Sequence, residues 1–159
     1  MDDATTLVCA RPALRPWEDQ AVTIQPITTS VSYTADRAWL GSLHGTDSTE
    51  TITLDVSKLA AAHIQASTDT SQPYSRVLSG VPVGKITASG LYGSFDPAAA
   101  DGRQNLAGFV VAETLYAPSA AKVPAALLWH GVVVTAKVPG GIDTTKVTAS
   151  VTGPQIRFV

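Results

Sequence analysis

The sequence predicts a mainly β protein, a small barrel or sandwich-like fold of short strands with one or two short helices. Apolar and polar residues alternate in short runs, of which Glu50–Val56 (ETITLDV) is the clearest. Turn residues such as glycine, proline and aspartate separate these runs about every ten residues, which is typical of small all-β domains. The chain has 159 residues, 45% of them hydrophobic, so we expect one domain with a substantial core.

The segment Val81–Val111 has the most regular strand pattern and carries little charge. The turn after its first strand contains Gly90, a residue that adopts positive φ without strain. The loop after its second strand contains Asp101 and Gly102, a pair that favours turns. Three strands are therefore predicted, at Val81–Thr87, Leu91–Phe95 and Leu106–Ala112.

The chain after this segment is predicted to contribute two more strands. The first lies in Ala125–Lys137, where β-branched residues are frequent and Gly131 is a candidate for a bulge. A break at Pro139–Gly141 follows, and then a short helix in Ile142–Val151, although its threonines and valines are poor helix formers. The second strand is the alternating Gln155–Val159.

The chain before residue 76 is less regular. Residues 1–20 contain two prolines and no periodicity, so we expect an extended arm. Ala21–Thr29 alternates around a proline and predicts an edge strand or a bulge. Asp55 or Ser57 is expected to cap one or two helical turns, and Gln65–Ser75 is expected to be a loop or linker. The predicted organisation is an arm over 1–20, a β extension with a short helix and linker over 21–75, and a β core over 76–159.

Composition argues against several classes of function. Only 15% of residues are charged, the formal net charge is −2 and lysine and arginine do not cluster, so direct nucleic-acid binding is not expected. A small domain with so few charges usually buries part of its surface in an assembly. We expect a soluble protein made in a cytoplasm, because no export signal or membrane span is readable. Cys9 is the one cysteine, which excludes an internal disulfide.

No pattern predicts catalysis, a cofactor or a metal site. The three histidines lack ligand spacing and have no second cysteine to assist them. Ser119–Lys122 matches the serine–lysine motif of penicillin-recognising enzymes, but the partner motifs of those enzymes are absent. Asp96 and Asp101 are expected to form turns rather than to hold a cation. The sequence therefore predicts a protein that is not an enzyme.

The ordered set of β segments resembles one known family. The segments are Pro82–Thr87, Ser89–Gly90, Leu91–Tyr92, Ala100–Gly102 and Leu106–Val111, followed by Leu127–Val134, a break, a threonine-rich short helix and a final alternating strand. This order resembles the head decoration proteins of tailed bacteriophages, over about residues 76–159. Trp39–Ser42, His44–Gly45 and Thr51–Val56 resemble the longer versions found in phages of actinobacteria.

The resemblance implies a β-tulip-like homotrimer on threefold positions of the outer capsid surface. There it would act as a cement protein that stabilises the filled head against the pressure of its DNA, and the implied partners are the major capsid protein and further copies of the chain. The family uses an N-terminal arm that pairs with coat-protein strands. No direct contact with nucleic acid or membrane is implied.

Two sets of residues are candidates for these contacts. Capsid contacts are expected from the arm and the strand after it, where tryptophan and arginine are the usual hot-spot residues; the candidates are Arg11, Leu14, Arg15, Trp17, Val22, Ile24 and Ile27. Trimer contact or core packing is expected from large apolar residues of the β segments; the candidates are Trp39, Tyr92, Phe95, Trp129 and Phe158. For Trp17 the alternative is local packing.

Two other functions fit the same composition. One is a different structural module of a virion, such as part of a tail tube or fibre. The other is a β domain that binds a glycan or a receptor, for which a cluster of aromatic side chains is the expected signature. The tryptophans and tyrosines are spread along the chain, so the sequence shows no such cluster.

Overall fold

The computed structural model describes residues 36–67, 74–148 and 153–159. All of them belong to one compact unit, residues 33–159. The predicted arm and the edge strand at Ala21–Thr29 lie outside the described residues. So do all seven candidates for capsid contact, which are Arg11, Leu14, Arg15, Trp17, Val22, Ile24 and Ile27.

The described residues form ten short strands and four single-turn 3-10 helices, so the prediction of a mainly β fold is confirmed. The strands are β1 (Glu50–Asp55), β2 (Ile64–Gln65), β3 (Ser75–Val77), β4 (Pro82–Lys85), β5 (Tyr92–Ser94), β6 (Leu106–Val110), β7 (Thr114–Tyr116), β8 (Lys122–Leu128), β9 (His130–Val133) and β10 (Gln155–Phe158). The 3-10 helices are Val56–Lys58, Ala61–His63, Thr135–Lys137 and Thr144–Lys146. None of the described helices is long and apolar enough to cross a membrane.

Five strands close into a barrel in the order β1-β5-β4-β6-β8. β1 closes the ring, because it pairs in parallel with β5 and antiparallel with β8. The β1–β8 pairing runs without a break from Glu50 opposite Leu127 to Asp55 opposite Lys122. Closure satisfies the backbone hydrogen bonds that a sheet edge would leave open.

The barrel is filled by side chains from all five strands, which are aliphatic except for Tyr92 on β5. On β1, alternate residues point inward, and Ile52 and Leu54 are buried while their neighbours are more exposed. Leu54, Val83 and Val123 are at most 1% exposed. We call this cluster the barrel interior.

A second core lies on the outer side of β6 and β8, and Trp39 anchors it. The indole stacks on Phe109 with ring centroids 5.8 Å apart, and its Nε1–H donates to Ser79 Oγ over 2.8 Å. β9 and β10, which pair in parallel, cover this core with Val133 and Phe158. We call this cluster the outer core.

The segment Val81–Val111 forms β4, β5 and β6, with β4 in the middle of the three. Asp55 caps the first 3-10 helix by accepting from Ser57 N over 3.0 Å. Two single-turn 3-10 helices follow β1, and the described part of the helix predicted over Ile142–Val151 contains one, Thr144–Lys146, in keeping with the poor helix propensity of that segment.

Three very short strands were not predicted. β2, β3 and β7 form a separate three-stranded antiparallel sheet, and β2 and β3 include the ends of the predicted linker 65–75. Strands of two or three residues show no readable alternation, which explains the difference. β1 lies in the barrel, so the barrel draws its strands from both sides of the boundary predicted after residue 75.

Candidate functional site: the mouth of the barrel

One end of the barrel gathers residues from all five of its strands. β5 runs parallel to β1, whereas β4 and β8 run antiparallel to their barrel neighbours. The starts of β1, β5 and β6 and the ends of β4 and β8 therefore lie at the same end. Barrel mouths are common places for ligand sites, because loops and strand ends bring distant residues together there.

An open cavity of about 650 Å³ occupies this end. Its size falls within the range of about 300–1,000 Å³ that is usual for small-molecule sites. We call it the mouth cavity, and it is lined by Glu50, Lys85, Thr87, Tyr92, Gly102, Asn105, Leu106, Ala107, Leu127, Trp129, Gly153 and Pro154. Apolar residues and aromatic rings form part of the wall, and residues with hydrogen-bond donors and acceptors line the same space.

Tyr92 is a polar residue that both lines the mouth cavity and belongs to the barrel interior. It packs against the barrel interior and is 9% exposed. Burial of the phenol raises the pKa of Tyr92, and the negative charge of Glu50 raises it further. The hydroxyl therefore stays protonated at neutral pH and is a hydrogen-bond donor. The Nζ atom of Lys85 lies 5.9 Å from the centre of the Tyr92 ring.

Trp129 lies at the rim of the mouth cavity, and 39% of its surface is exposed. Its Nε1–H donates to the carbonyl oxygen of Ser48 over 2.8 Å. Its ring centre is 4.1 Å from that of His130. These two contacts hold the indole in one orientation while a large part of the ring remains open to solvent.

A second polar pair, His63 and Ser94, is largely buried. Ser94 Oγ accepts from Ala60 N over 2.8 Å and forms a second hydrogen bond with His63 Nδ1 over 2.7 Å. Burial lowers the pKa of His63, and a hydrogen bond to the Pro139 carbonyl partly opposes this.

The Ser94–His63 pair has the residue types of a nucleophile and its base, but both residues are less than 10% exposed. A nucleophile needs a path to its substrate, and here the hydroxyl is shared between a backbone amide and the ring. The pair therefore ties the 3-10 helix Ala61–His63 to β5. Within the described ranges, no three histidine, cysteine, aspartate or glutamate side chains lie close enough together to hold a metal ion.

The three-stranded sheet has an outer face that is half exposed. Tyr74 and Leu115 are 50% and 49% exposed. Between them, the Arg76 guanidinium pairs with Glu113 at 2.7 Å and also donates to Gln65. We call these five residues the outer sheet face. Tyrosine and arginine are enriched at the centres of protein interfaces, and here the arginine is already held in place.

The residues predicted for trimer contact or packing fall in three places. Trp39 belongs to the outer core, and Phe95 and Phe158 pack against it. Tyr92 belongs to the barrel interior and also lines the mouth cavity, where Trp129 joins it. The fold thus brings Tyr92 and Trp129 to one site, although they lie far apart in the sequence.

Sequence reasoning did not single out Glu50, Lys85 or Asn105. Glu50 and Asn105 lie at or next to the end of a predicted strand, whereas Lys85 lies inside the predicted strand Val81–Thr87 and ends β4 only in the structure. That the three residues meet depends on the order of strands in the barrel. Neither protein-family models nor curated protein sequences match this chain.

Proposed function

We propose that this chain is a capsid decoration protein, which binds the outer surface of a bacteriophage head as a trimer at threefold positions. In this role it cements neighbouring coat subunits and stabilises the head against the pressure of the packaged DNA. The role needs a rigid body, surfaces for protein contact and no reaction centre. The proposal starts from the family resemblance of the β segments between residues 76 and 159.

The outer sheet face is the observation that carries this proposal. It places two half-exposed apolar side chains, Tyr74 and Leu115, around a paired arginine on a chain with few charges. Large exposed apolar groups on a small domain usually mark a surface that another protein covers. Because Glu113 neutralises Arg76, a second protein can approach this face without like-charge repulsion.

The closed barrel also suits the role. A ring of hydrogen-bonded strands around an aliphatic interior has no open barrel edge that must be protected in the free protein. Attachment by three copies at once makes modest contacts cooperative, since the second and third contacts form at a high effective concentration.

Binding to expanded heads tests the proposal directly. The full chain is added to expanded heads of the phage that encodes it, after removal of their own decoration protein, and bound protein is measured by sedimentation and imaging. We expect density on threefold positions and a higher temperature of DNA release. Absence of binding, or rings of sixfold symmetry that bind tails instead, would contradict the proposal.

Two variants test the proposed contacts of the arm and of the outer sheet face one at a time. Deletion of residues 1–20 is expected to leave a folded protein that no longer attaches, because the arm is the proposed contact with the coat. The double variant Tyr74→Ser and Leu115→Ser is expected to weaken attachment while the unfolding curve stays close to that of the parent. The exposed Lys122→Ala serves as the control, and its binding should match the parent chain.

A further inference from the structure

We propose that the mouth cavity is a carbohydrate-binding site that takes a neutral sugar. This function goes beyond capsid decoration and does not depend on it. The inference rests on four properties of the cavity. These are an aromatic face held in one orientation, hydrogen-bond donors together with acceptors, one charge of each sign, and apolar walls.

The aromatic face comes from Trp129. Sugar rings present a face of C–H groups, which pack against the negative face of an aromatic ring. If the indole is mobile before the sugar binds, ordering it costs conformational entropy, which offsets part of the favourable energy of that contact. Trp129 is already oriented by its hydrogen bond to Ser48 and by its contact with His130, while 39% of its surface stays open.

The polar groups match a ligand made of hydroxyls. Glu50 supplies only acceptors and Lys85 only donors, whereas Asn105, Thr87 and the Tyr92 hydroxyl supply donors, acceptors or both. A sugar hydroxyl donates and accepts at the same time, so it can bridge groups of opposite kind. Ligands that only accept or only donate would leave half of these groups unpaired.

The charge of the cavity selects against anions. Among the lining residues that the structure describes, Lys85 is the one lysine or arginine, and Glu50 faces the same space with the opposite sign. Phosphate recognition uses clustered cations or a run of backbone amides at a helix start, and neither is present among the described lining residues. A neutral ligand is therefore favoured over a nucleotide or an acidic glycan.

The remaining wall is apolar and comes from several strands. Leu106, Ala107, Leu127 and Pro154 line the cavity. Apolar walls exclude water from the polar contacts of a ligand and strengthen them. The volume of about 650 Å³ leaves room for more than one sugar ring, so we expect short oligosaccharides to bind better than monosaccharides.

The experiment begins with the full chain on an array of neutral and anionic glycans. The best neutral oligosaccharide is then titrated by calorimetry against the parent and four variants. Trp129→Ala is expected to weaken binding about tenfold or more, because truncation of an aromatic anchor removes the stacking face. Trp129→Phe keeps a ring and is expected to recover part of the affinity.

Two lysines provide a matched control. Lys85→Ala removes a donor from the mouth cavity and is expected to lower affinity several-fold. Lys122→Ala removes an exposed lysine at the start of β8, which is the opposite end of the barrel, and should leave affinity unchanged. Unfolding curves of all variants show that each one is folded. The proposal is overturned if no neutral glycan binds at millimolar concentration, if only anionic glycans or peptides bind, or if Trp129→Ala binds like the parent.

Discussion

The interior of the barrel and its mouth are built from the same five strands but have opposite chemistry. In the middle of the strands, Leu54, Val83 and Val123 are sealed from solvent. At one end of the same strands, Glu50 and Lys85 face an open cavity. Most of the residues that fill the interior and the charged residues that face the cavity therefore lie at different points along the strands, although Tyr92 and Leu127 belong to both.

Two tryptophans give the largest test of this separation. Trp39→Ala opens a cavity in the outer core and removes the indole N–H that donates to Ser79 Oγ, so we expect a loss of about 3–5 kcal/mol in the free energy of unfolding. Trp129→Ala removes a ring at the rim, where we expect a loss below about 1 kcal/mol. Urea denaturation of both variants measures the difference, and equal losses would show that the mouth is part of the stabilising core.

Two glycines test how tightly the outer core is packed. Gly80 and Gly90 both have positive φ, at 81° and 71°. A Cβ at Gly80 would lie 2.5 Å from Trp39 Cδ1, whereas a Cβ at Gly90 meets nothing within 4 Å. We expect Gly90→Ala to cost about 1 kcal/mol from backbone strain alone, and Gly80→Ala to cost about 1–3 kcal/mol more from overpacking. Thermal unfolding of the pair checks this, and similar costs would mean that Trp39 moves aside easily.

His63 makes stability depend on pH. Its pKa is lowered from 6.5 by burial, so between 6.5 and its value in the folded protein the unfolded chain binds more protons. The free energy of unfolding should therefore fall as the pH drops below about 6.5 and level off below the folded pKa. Urea midpoints between pH 8 and pH 4 measure this.

The variant His63→Gln removes this titration and leaves Ser94 with a poorer partner. We expect it to lose about 1–3 kcal/mol at neutral pH and to show a flatter dependence between pH 7 and pH 5. The exposed His44→Gln is the control and should keep the slope of the parent. An unchanged slope in His63→Gln would assign the dependence to other groups.

A small effect is expected at the far end of the barrel, where Asp55 ends β1. It caps the following 3-10 helix by accepting from Ser57 N and Ser57 Oγ. Asp55→Ala should cost about 1 kcal/mol, while Asp55→Asn, which keeps a side-chain acceptor, should cost less. A loss of several kcal/mol in guanidinium unfolding would show that this end of the barrel contributes more to stability than its exposure indicates.

The elements that could be predicted from the sequence are those that follow a clear local pattern. β1 and the three strands of Val81–Val111 alternate over four or more residues or are bounded by turn residues, and Asp55 has the residue type of a cap. β2, β3 and β7 are too short for such a pattern. Their pairing depends on residues far away in the chain, as does the closure of the barrel by β1.

The mouth cavity could not be predicted from local sequence patterns, for the same reason. Tyr92 and Trp129 were expected in the core or in subunit contacts, and in the structure Tyr92 belongs to the barrel interior. Their common site depends on β1 and β8 being neighbours. Nothing in the residues of β1 specifies β8 as its partner, because many strands with an apolar face would fit.

The way in which β1 closes the barrel has a consequence for the speed of folding. Residues 50–55 must find residues 122–127, and this contact spans most of the described chain. Closing so long a loop costs conformational entropy before the hydrogen bonds between β1 and β8 have formed to offset that loss. The hairpin of β4 and β5 forms between near neighbours and is expected to appear first. We expect docking of β1 to be the rate-limiting step. The folding time should then lie in the range of milliseconds to seconds that is usual for β proteins of high contact order.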